Sequence, residues 1–216
     1  LNPIAPSPLD ATGPLAQRYR HFVRRRLLLL AALLAVLCAS VVADIALGPS
    51  NFAFADVLRG LFTPGALPQA QQVILWEVRL PYAVMAVLVG ASLGLAGAEM
   101  QTALNNPLAS PFTLGISSAA SFGAAMAIIM GAGFMGGEWL IIGNAFVFTL
   151  LAAGAVYGLA KYKGVTPETM ILAGIAISYL FSAMTSFLQY IGHAEQVQEV
   201  VFWSMGSLGR SSWDKV

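Results

Sequence analysis

The sequence predicts an all-α membrane protein, a polytopic bundle of transmembrane helices. Apolar residues make up 58% of the 216 residues and charged residues only 10%, and the mean hydropathy is +0.76. A soluble domain carries roughly 25% charged residues, and a water-soluble fold of this size cannot bury so much apolar side chain. The few charges are also spaced so that they leave charge-free stretches of helix length.

Five of these stretches supply the predicted spans. A helix needs about 20 residues to cross the hydrocarbon core, and its backbone must be hydrogen-bonded internally because lipid offers no partner. Proline and glycine clusters separate the stretches. We therefore predict about five transmembrane helices, which cover residues 27–47, 81–103, 112–130, 139–160 and 169–191.

The first span follows an arginine-rich segment that sets the predicted orientation. With the N-terminus inside, the cytoplasmic side carries seven Lys and Arg residues and the outer side four, as the positive-inside rule favours. We expect residues 1–26 to be a cytoplasmic tail, disordered over 1–17 where four prolines occur, and residues 27–216 to form the membrane domain. A cleavable signal peptide is the alternative, but more than twenty residues precede the apolar run Leu27–Leu30.

Two connections contain apolar residues at helical spacing. Between residues 44 and 78, Phe54, Val57, Leu58 and Leu61 recur on one predicted face, which favours a short amphipathic surface helix over an ordinary loop. Residues 195–208 contain a run too short to span a membrane, and we predict an interfacial or re-entrant helix there.

Catalytic and metal-binding motifs are absent from the sequence. There is no phosphate loop of the G-x-x-x-x-G-K-[ST] type and no H-E-x-x-H. Cys38 is the single cysteine, and the predicted topology separates His21 from His193. With a net charge of +1, nothing favours nucleic acid as a partner. We expect no enzyme activity, no catalytic residue, no bound metal and no cofactor.

The fifth predicted span carries a polar stripe. Polar residues at helical spacing inside a span face either a neighbouring helix or a wet cavity, and the residues alone leave both readings open. No charge lies in the middle of any span, which weakens an ion-coupled secondary transporter. The stripe, which we take as a candidate pathway lining, consists of Gly174, Ser178, Ser182, Thr185, Ser186 and Gln189.

Several motifs together resemble one family, the FecCD-type permeases of ATP-driven importers for iron–siderophore complexes, haem and cobalamin. The resemblance covers about residues 75–213. The matching segments, in chain order, are Arg79-Leu80-Pro81, the glycine-rich run 88–97 with Met100-Gln101, Asn106-Pro107-Leu108-Ala109-Ser110-Pro111, Leu114-Gly115-Ile116-Ser117-Ser118, Ile171-Leu172-Ala173-Gly174 and Phe202–Leu208. Within these segments, Gln101, Asn106, Pro107 and Gly115 are the motif residues that we single out.

The resemblance implies a subunit of about ten helices in the bacterial inner membrane, in contact with membrane lipids. It implies a dimer of permease subunits, two cytoplasmic ATPase subunits and a periplasmic or lipid-anchored substrate-binding protein. The fifth helix would then help to line the pathway, and Thr166, Pro167 and Glu168 would lie near the cytoplasmic gate. Iron–siderophore complexes are the favoured cargo, with haem and cobalamin as alternatives.

Two departures from the family pattern stand out. Arg79 matches the first arginine of a docking motif, but Tyr82 replaces the second, so that Arg59 is a candidate to share the docking contact. The sequence also stops at Val216, where the sixth helix of the family would begin. We therefore expect it to be roughly the N-terminal two-thirds of a permease subunit.

Overall fold

A computed structural model describes residues 12–47, 53–63, 65–164 and 166–216, and this part of the chain contains helices and turns only. It divides into two compact units, one made of residues up to Val84 together with Ser211–Val216, the other of Met85–Arg210. The predicted all-α fold is confirmed. Within the described residues, four helices are long and apolar enough to cross a membrane.

The first unit begins with α1, which runs over Thr12–Ala46. The predicted disorder is wrong for residues 12–17, which form the first turns of this helix, while residues 1–11 lie outside the described part. The reason is that Pro14 falls within the first turn, where its missing N–H would have no intrahelical partner. Residues Gln17–Ala46 of α1 are long and apolar enough to cross a membrane, and they contain the predicted first span, 27–47, except for Leu47.

The predicted amphipathic helix of the long connection is present as α2, Phe54–Phe62. It buries Val57 against Ile45 and Leu75 in a small apolar cluster. Gly60 is buried as well, and a Cβ atom there would come within 2.5 Å of the side chains of Leu67 and Leu75. The helix therefore packs closely inside the first unit.

The second predicted span begins earlier than the sequence indicated. Helix α3, Gln69–Val73, continues through a π-helical turn, Ile74–Arg79, into α4, Leu80–Ala103. Together they form one apolar helix over Gln69–Ala103.

Pro81 and two tryptophans account for part of the π-helical turn. The turn pairs the N–H of Leu80 with the carbonyl of Leu75, five residues back. The next bond of that pattern would come from Pro81, which has no N–H, and would leave the carbonyl of Trp76 without a donor. The indole N–H of Trp213 donates to this oxygen at 2.8 Å. The indole of Trp76 in turn donates to the carbonyl of Gly60 at 3.2 Å.

The second unit contains the remaining helices. A 3₁₀ turn at Pro111–Leu114 leads into α5, Ile116–Met130, whose 15 residues rise only about 22 Å. The predicted third span, 112–130, is therefore interrupted at Gly115, which adopts the left-handed conformation with φ of 74°. The fourth and fifth predicted spans are α6, Leu140–Lys163, and α7, Pro167–Ile191.

The helix predicted over 195–208 is α8, Ala194–Met205. Its Gln196 side chain donates to the carbonyls of Ile128 and Ile129, both at 3.2 Å, which would otherwise be unpaired at the end of α5. The core between α5, α6 and α7 centres on three phenylalanines. The rings of Phe122 and Phe148 meet edge to face at 4.9 Å, and Phe181 lies 5.6 Å from Phe122.

Candidate functional site: a hydroxyl-lined cleft between two helices

Two glycines bring the start of α5 against α7. A Cβ atom on Gly115 would lie 2.8 Å from the carbonyl oxygen of Gly174 and from Oγ of Ser178. A Cβ atom on Gly174 would lie 2.6 Å from the carbonyl oxygen of Thr113. Real Cβ atoms do not approach so closely, so each position requires glycine. This contact fixes where the two helices meet.

Beyond this contact the two helices border an open cleft lined by hydroxyl groups, and Ser117, Ser182 and Ser186 are exposed in it. Its volume is about 310 Å³. Both helices contribute equally, α5 with three serines and α7 with two serines and a threonine. The Oγ atoms of Ser182 and Ser118 face each other at 3.5 Å. The lining residues are Ser117, Ser118, Ser121, Ser182, Thr185 and Ser186.

The hydroxyl groups differ in whether they already form hydrogen bonds within the protein. Thr185 donates to the carbonyl of Phe181 in its own helix at 2.8 Å. Within the described residues, no hydrogen bond occupies the side chains of Ser117, Ser121 and Ser186. A serine hydroxyl supplies one donor and two acceptor positions. The cleft can therefore offer several uncharged hydrogen bonds to a polar molecule.

An apolar groove lies on neighbouring positions of the same two helices. Its volume is about 460 Å³. Phe122 comes from α5 and the other lining residues come from α7. On α7, Leu180 lines this groove, whereas Ser182 lines the hydroxyl-lined cleft. The groove is lined by Phe122, Leu180, Ala183, Met184, Phe187 and Leu188.

Neither opening is lined by a charged residue, a histidine or a cysteine. Among the described residues, no group of three or more His, Cys, Asp and Glu side chains could hold a metal ion. The chemistry available in the cleft is therefore hydrogen bonding next to an apolar surface.

The structure separates the predicted stripe of α7 into two groups. Ser182, Thr185 and Ser186 lie together in the cleft. Gly174 is buried at the contact with α5, and Ser178 lies beside Gly115 at that same contact. Gln189 is half-buried and lines neither opening.

The predicted gate residues start α7. Thr166 is the N-cap, and its Oγ1 accepts a hydrogen bond from the N–H of Thr169 at 3.3 Å. Pro167 occupies the first helical position and Glu168 the first turn, where a negative charge interacts favourably with the helix dipole. These residue types account for where the helix begins.

The predicted docking residues all belong to the first unit. Arg79 is the last residue of the π-helical turn and is half-buried, as is Tyr82 in the first turn of α4. Arg59 is exposed on α2. Arg79 is three residues from Trp76, and Arg59 precedes Gly60, so the hydrogen bond from Trp76 to Gly60 links the two segments that carry the arginines.

The motif residues outside the stripe build a turn. Asn106 accepts a hydrogen bond from the N–H of Leu108 through its side chain at 2.9 Å, and its own N–H donates to the carbonyl of Gln101 at 3.1 Å. The exposed Pro107 follows in this turn. The turn connects α4 to the 3₁₀ segment that precedes Gly115.

Sequence reasoning missed the α5 side of the cleft. Ser117 and Ser118 were noticed only as part of a motif, and Ser121 was not singled out. Their spacing, with Ser121 four residues after Ser117, places them on one side of a helix. That spacing was a usable signal, and it matches the Ser182–Ser186 spacing on α7.

Residues outside the cleft hold α5 and α6 together. Asn144 is fully buried, and its amide donates to the carbonyl of Ala132 at 2.8 Å while its Oδ1 accepts from the N–H of Phe134 at 3.0 Å. Gly123 lies directly against the backbone of Asn144, which a Cβ atom would approach to 2.6 Å. The α5–α6 pair is thereby closely packed.

The apolar helices and the uncharged polar cleft define an all-α, multi-pass membrane protein. The FecCD transport family matches residues 28–216, and the chain belongs to this family. The family predicted from the motifs is thus confirmed.

Similar proteins that are named as transport permeases support the assignment to this family. A Methanocaldococcus jannaschii protein named as an ABC transporter permease is 39% identical over 93% of this chain and 59% of its own length. The achromobactin transport system permease of Dickeya dadantii is 36% identical over 84% of this chain and 51% of its own. Other relatives are named as permeases for iron chelatin transport, cobalamin import and molybdate import.

A solved structure has the same fold. It is described as a metal-chelate type ABC transporter in an inward-facing conformation, with a TM-score of 0.72 and 30% identity. The match covers 86% of this chain and 55% of that chain. This chain thus spans about half the length of the proteins it matches.

Proposed function

We propose that this chain is part of the permease subunit of an ATP-driven importer that depends on a binding protein. The observation that carries the proposal is the hydroxyl-lined cleft between α5 and α7 in a member of the FecCD transport family. Relatives named as transport-system permeases support it. In this proposal ATP is hydrolysed by a separate subunit, as the resemblance to the family implies, and residues 1–216 contain no phosphate loop.

The cleft suits a cargo that must enter and leave. Small hydroxyl side chains leave space and offer uncharged hydrogen bonds, each of which contributes only about 1 kcal/mol net. Fixed charges buried in a membrane would hold a polar cargo more tightly and would slow its release. In an alternating-access cycle, binding-protein docking and closure of the ATPases would expose such a surface first to one side and then to the other.

The cargo that we propose is an iron–siderophore complex. The metal-chelate description of the similar structure and the iron-chelatin and achromobactin names of relatives favour it. Cobalamin is the nearest alternative, because relatives of similar identity are named for it. Molybdate, a bare anion, fits less well because no Lys or Arg lines the cleft.

The proposed assembly follows the resemblance. It contains a second permease subunit, two cytoplasmic ATPase subunits, and a binding protein that docks near Arg59, Arg79 and Tyr82. Residues 166–168 would lie near the cytoplasmic gate. The N-terminus would lie on the cytoplasmic side of the inner membrane. Residues 1–26 would be its cytoplasmic segment and residues 27–216 its membrane domain.

The test fills the cleft in the full-length protein. Ser182→Phe removes the hydroxyl that faces Ser118 and places a ring in the cleft, so uptake of labelled iron–siderophore should fall at least about tenfold while assembly with the ATPase is retained. The matched control is Ala176→Phe, which adds similar bulk at an exposed position of α7 that lines neither opening. Unchanged uptake in Ser182→Phe would remove the cleft from the pathway.

Energy coupling separates the proposal from a secondary transporter. Uptake by the intact assembly should stop when the ATPase subunit is inactivated and should survive collapse of the proton gradient when ATP is held constant. Uptake that follows the gradient and ignores the ATPase would contradict the proposal.

A further inference from the structure

The amino-terminal half of α1 is a surface that the proposed function leaves unexplained. Five arginines occur within nine residues, and all five side chains are exposed. The structure keeps this segment in the same continuous helix as the apolar run that follows it. The arginines are Arg18, Arg20, Arg24, Arg25 and Arg26.

Neighbouring acidic groups do not neutralise these charges along the helix. From residue 11 to residue 43 the sequence contains no Asp or Glu, and the first acid on α1 is Asp44. At 1.5 Å per residue, Asp44 lies about 27 Å along the axis from Arg26. That distance exceeds the screening length of about 8 Å at physiological salt.

The last three arginines surround the helix. Consecutive residues are turned by about 100°, so Arg24, Arg25 and Arg26 point in three directions from nearly the same height. The guanidinium of Arg26 lies over the ring of Phe22, 4.1 Å from its centre, which favours a fixed position. Arginine donates through a planar fork that matches phosphate oxygens, often in pairs.

The apolar surface begins directly after this ring of charge. Leu27, Leu28, Leu29 and Leu30 are each more than half exposed. A ligand that contacts both zones, the arginines and the leucines, must carry an anionic group, such as a phosphate, next to a hydrocarbon chain. Free phosphate and nucleic acid satisfy only the first zone, whereas an anionic phospholipid satisfies both.

We propose that Arg24, Arg25 and Arg26, with Phe22 and the leucines that follow, bind the headgroups of anionic phospholipids. Arg18 and Arg20 extend the positive surface about one to two turns further from the membrane and strengthen the attraction. The site holds lipid at the end of α1 whichever way the protein faces in the bilayer. It is independent of the cargo and of the cleft.

The test measures lipid selectivity of the purified protein in nanodiscs that have the same composition in both leaflets. Spin-labelled phosphatidylglycerol should associate with the protein about threefold or more in preference to spin-labelled phosphatidylcholine, since each Lys or Arg at a membrane surface contributes on the order of 1 kcal/mol. The preference should decrease as salt is raised, and millimolar inorganic phosphate should leave it unchanged.

Two triple variants distinguish charge at this site from charge elsewhere. Replacing Arg24, Arg25 and Arg26 by Gln should bring the preference close to equality, while replacing all three by Lys should keep most of it. Circular dichroism and gel filtration establish that each variant is folded. Equal association of the two lipids with the unaltered protein, or an unchanged preference in the Gln variant, would overturn the proposal, and so would full displacement by phosphate.

Discussion

The two contact faces of α5 differ in what fills the space beside them. Toward α6, Gly123 brings the backbones together and Asn144 is completely buried with both amide atoms bonded. Toward α7, the helices touch at Gly115 and Gly174 and then separate around a cleft of about 310 Å³. Both contacts include small and polar residues beside the phenylalanine core, yet the contact with α6 is closed at Asn144 and the contact with α7 leaves a cleft.

The difference shows that small residues alone do not predict close packing. On the α6 face, the polar atoms of Asn144 are satisfied by backbone groups, which favours a single arrangement. On the α7 face, three serine hydroxyls have no partner among the described residues. We infer that the closed face maintains the fold and that the open face remains available for a ligand.

The largest expected effect on stability comes from replacing Gly123 with a bulky residue. Leucine at this position would force its Cβ atom to within 2.6 Å of a backbone oxygen of Asn144, which cannot move without shifting α6. Overpacking of this kind typically costs about 1–3 kcal/mol and occasionally more, and a clash with backbone places this substitution at the upper end. The yield of monodisperse protein and its Tm should both fall steeply in Gly123→Leu.

A matched glycine on α6 supplies the control. A Cβ atom on Gly154 meets nothing within 4 Å, so Gly154→Leu should be tolerated in the same assay. If both variants behaved alike, the closed face would not be the contact that maintains the fold.

The sequence predicted the membrane helices because a helix that spans a membrane requires a long stretch of apolar residues. Charge-free stretches located four helices of spanning length, and the motif segments led to the correct family. The family motifs themselves are largely explained by geometry. Asn106 forms a turn, and Gly115 and Gly174 permit a close approach.

The cleft was only half predictable. The stripe of Ser182, Thr185 and Ser186 was visible as a helical pattern, but its opposing serines depend on how α5 is rotated against α7. That rotation is set by Gly115, whose left-handed backbone also shortened the predicted third span. The spacing of residues in the sequence carries no information on such a tertiary contact. For the same reason it could not predict that Ser178 lies at the contact with α5 whereas Ser182 lies in the cleft.

Asn144 allows a second, intermediate test of the closed face. In Asn144→Leu, the N–H of Phe134 and the carbonyl of Ala132 both lose their partner while the side-chain volume is nearly conserved. A fully buried unsatisfied group costs about 1–3 kcal/mol, but Ala132 and Phe134 are exposed residues. The two freed groups should therefore cost toward the lower end of that range, and the free energy of unfolding should fall by roughly 2 kcal/mol in total, as measured by chemical denaturation in detergent.

Thr149, five residues further along α6, is the control for this substitution. Thr149 donates only to the carbonyl of Ala145 in its own helix, at 2.7 Å, so Thr149→Val should change stability by less than about 0.5 kcal/mol. An equally small effect in Asn144→Leu would mean that the loop before α6 is held by other contacts.

The smallest effect on stability is expected in the open cleft. Ser121→Ala removes a hydroxyl that has no partner in the described residues, so the free energy of unfolding should stay within about 0.5 kcal/mol of the unaltered protein. The reverse change at Ala125, one turn further along α5 and completely buried, should be more costly because Ala125→Ser places a hydroxyl in the apolar core. The Ser121 variant should nevertheless reduce transport by the full-length protein, since it removes a free hydrogen-bonding group from the proposed pathway. A loss of stability in Ser121→Ala larger than that in Ala125→Ser would show that the face toward α7 is also closed, and the distinction between the two faces of α5 would disappear.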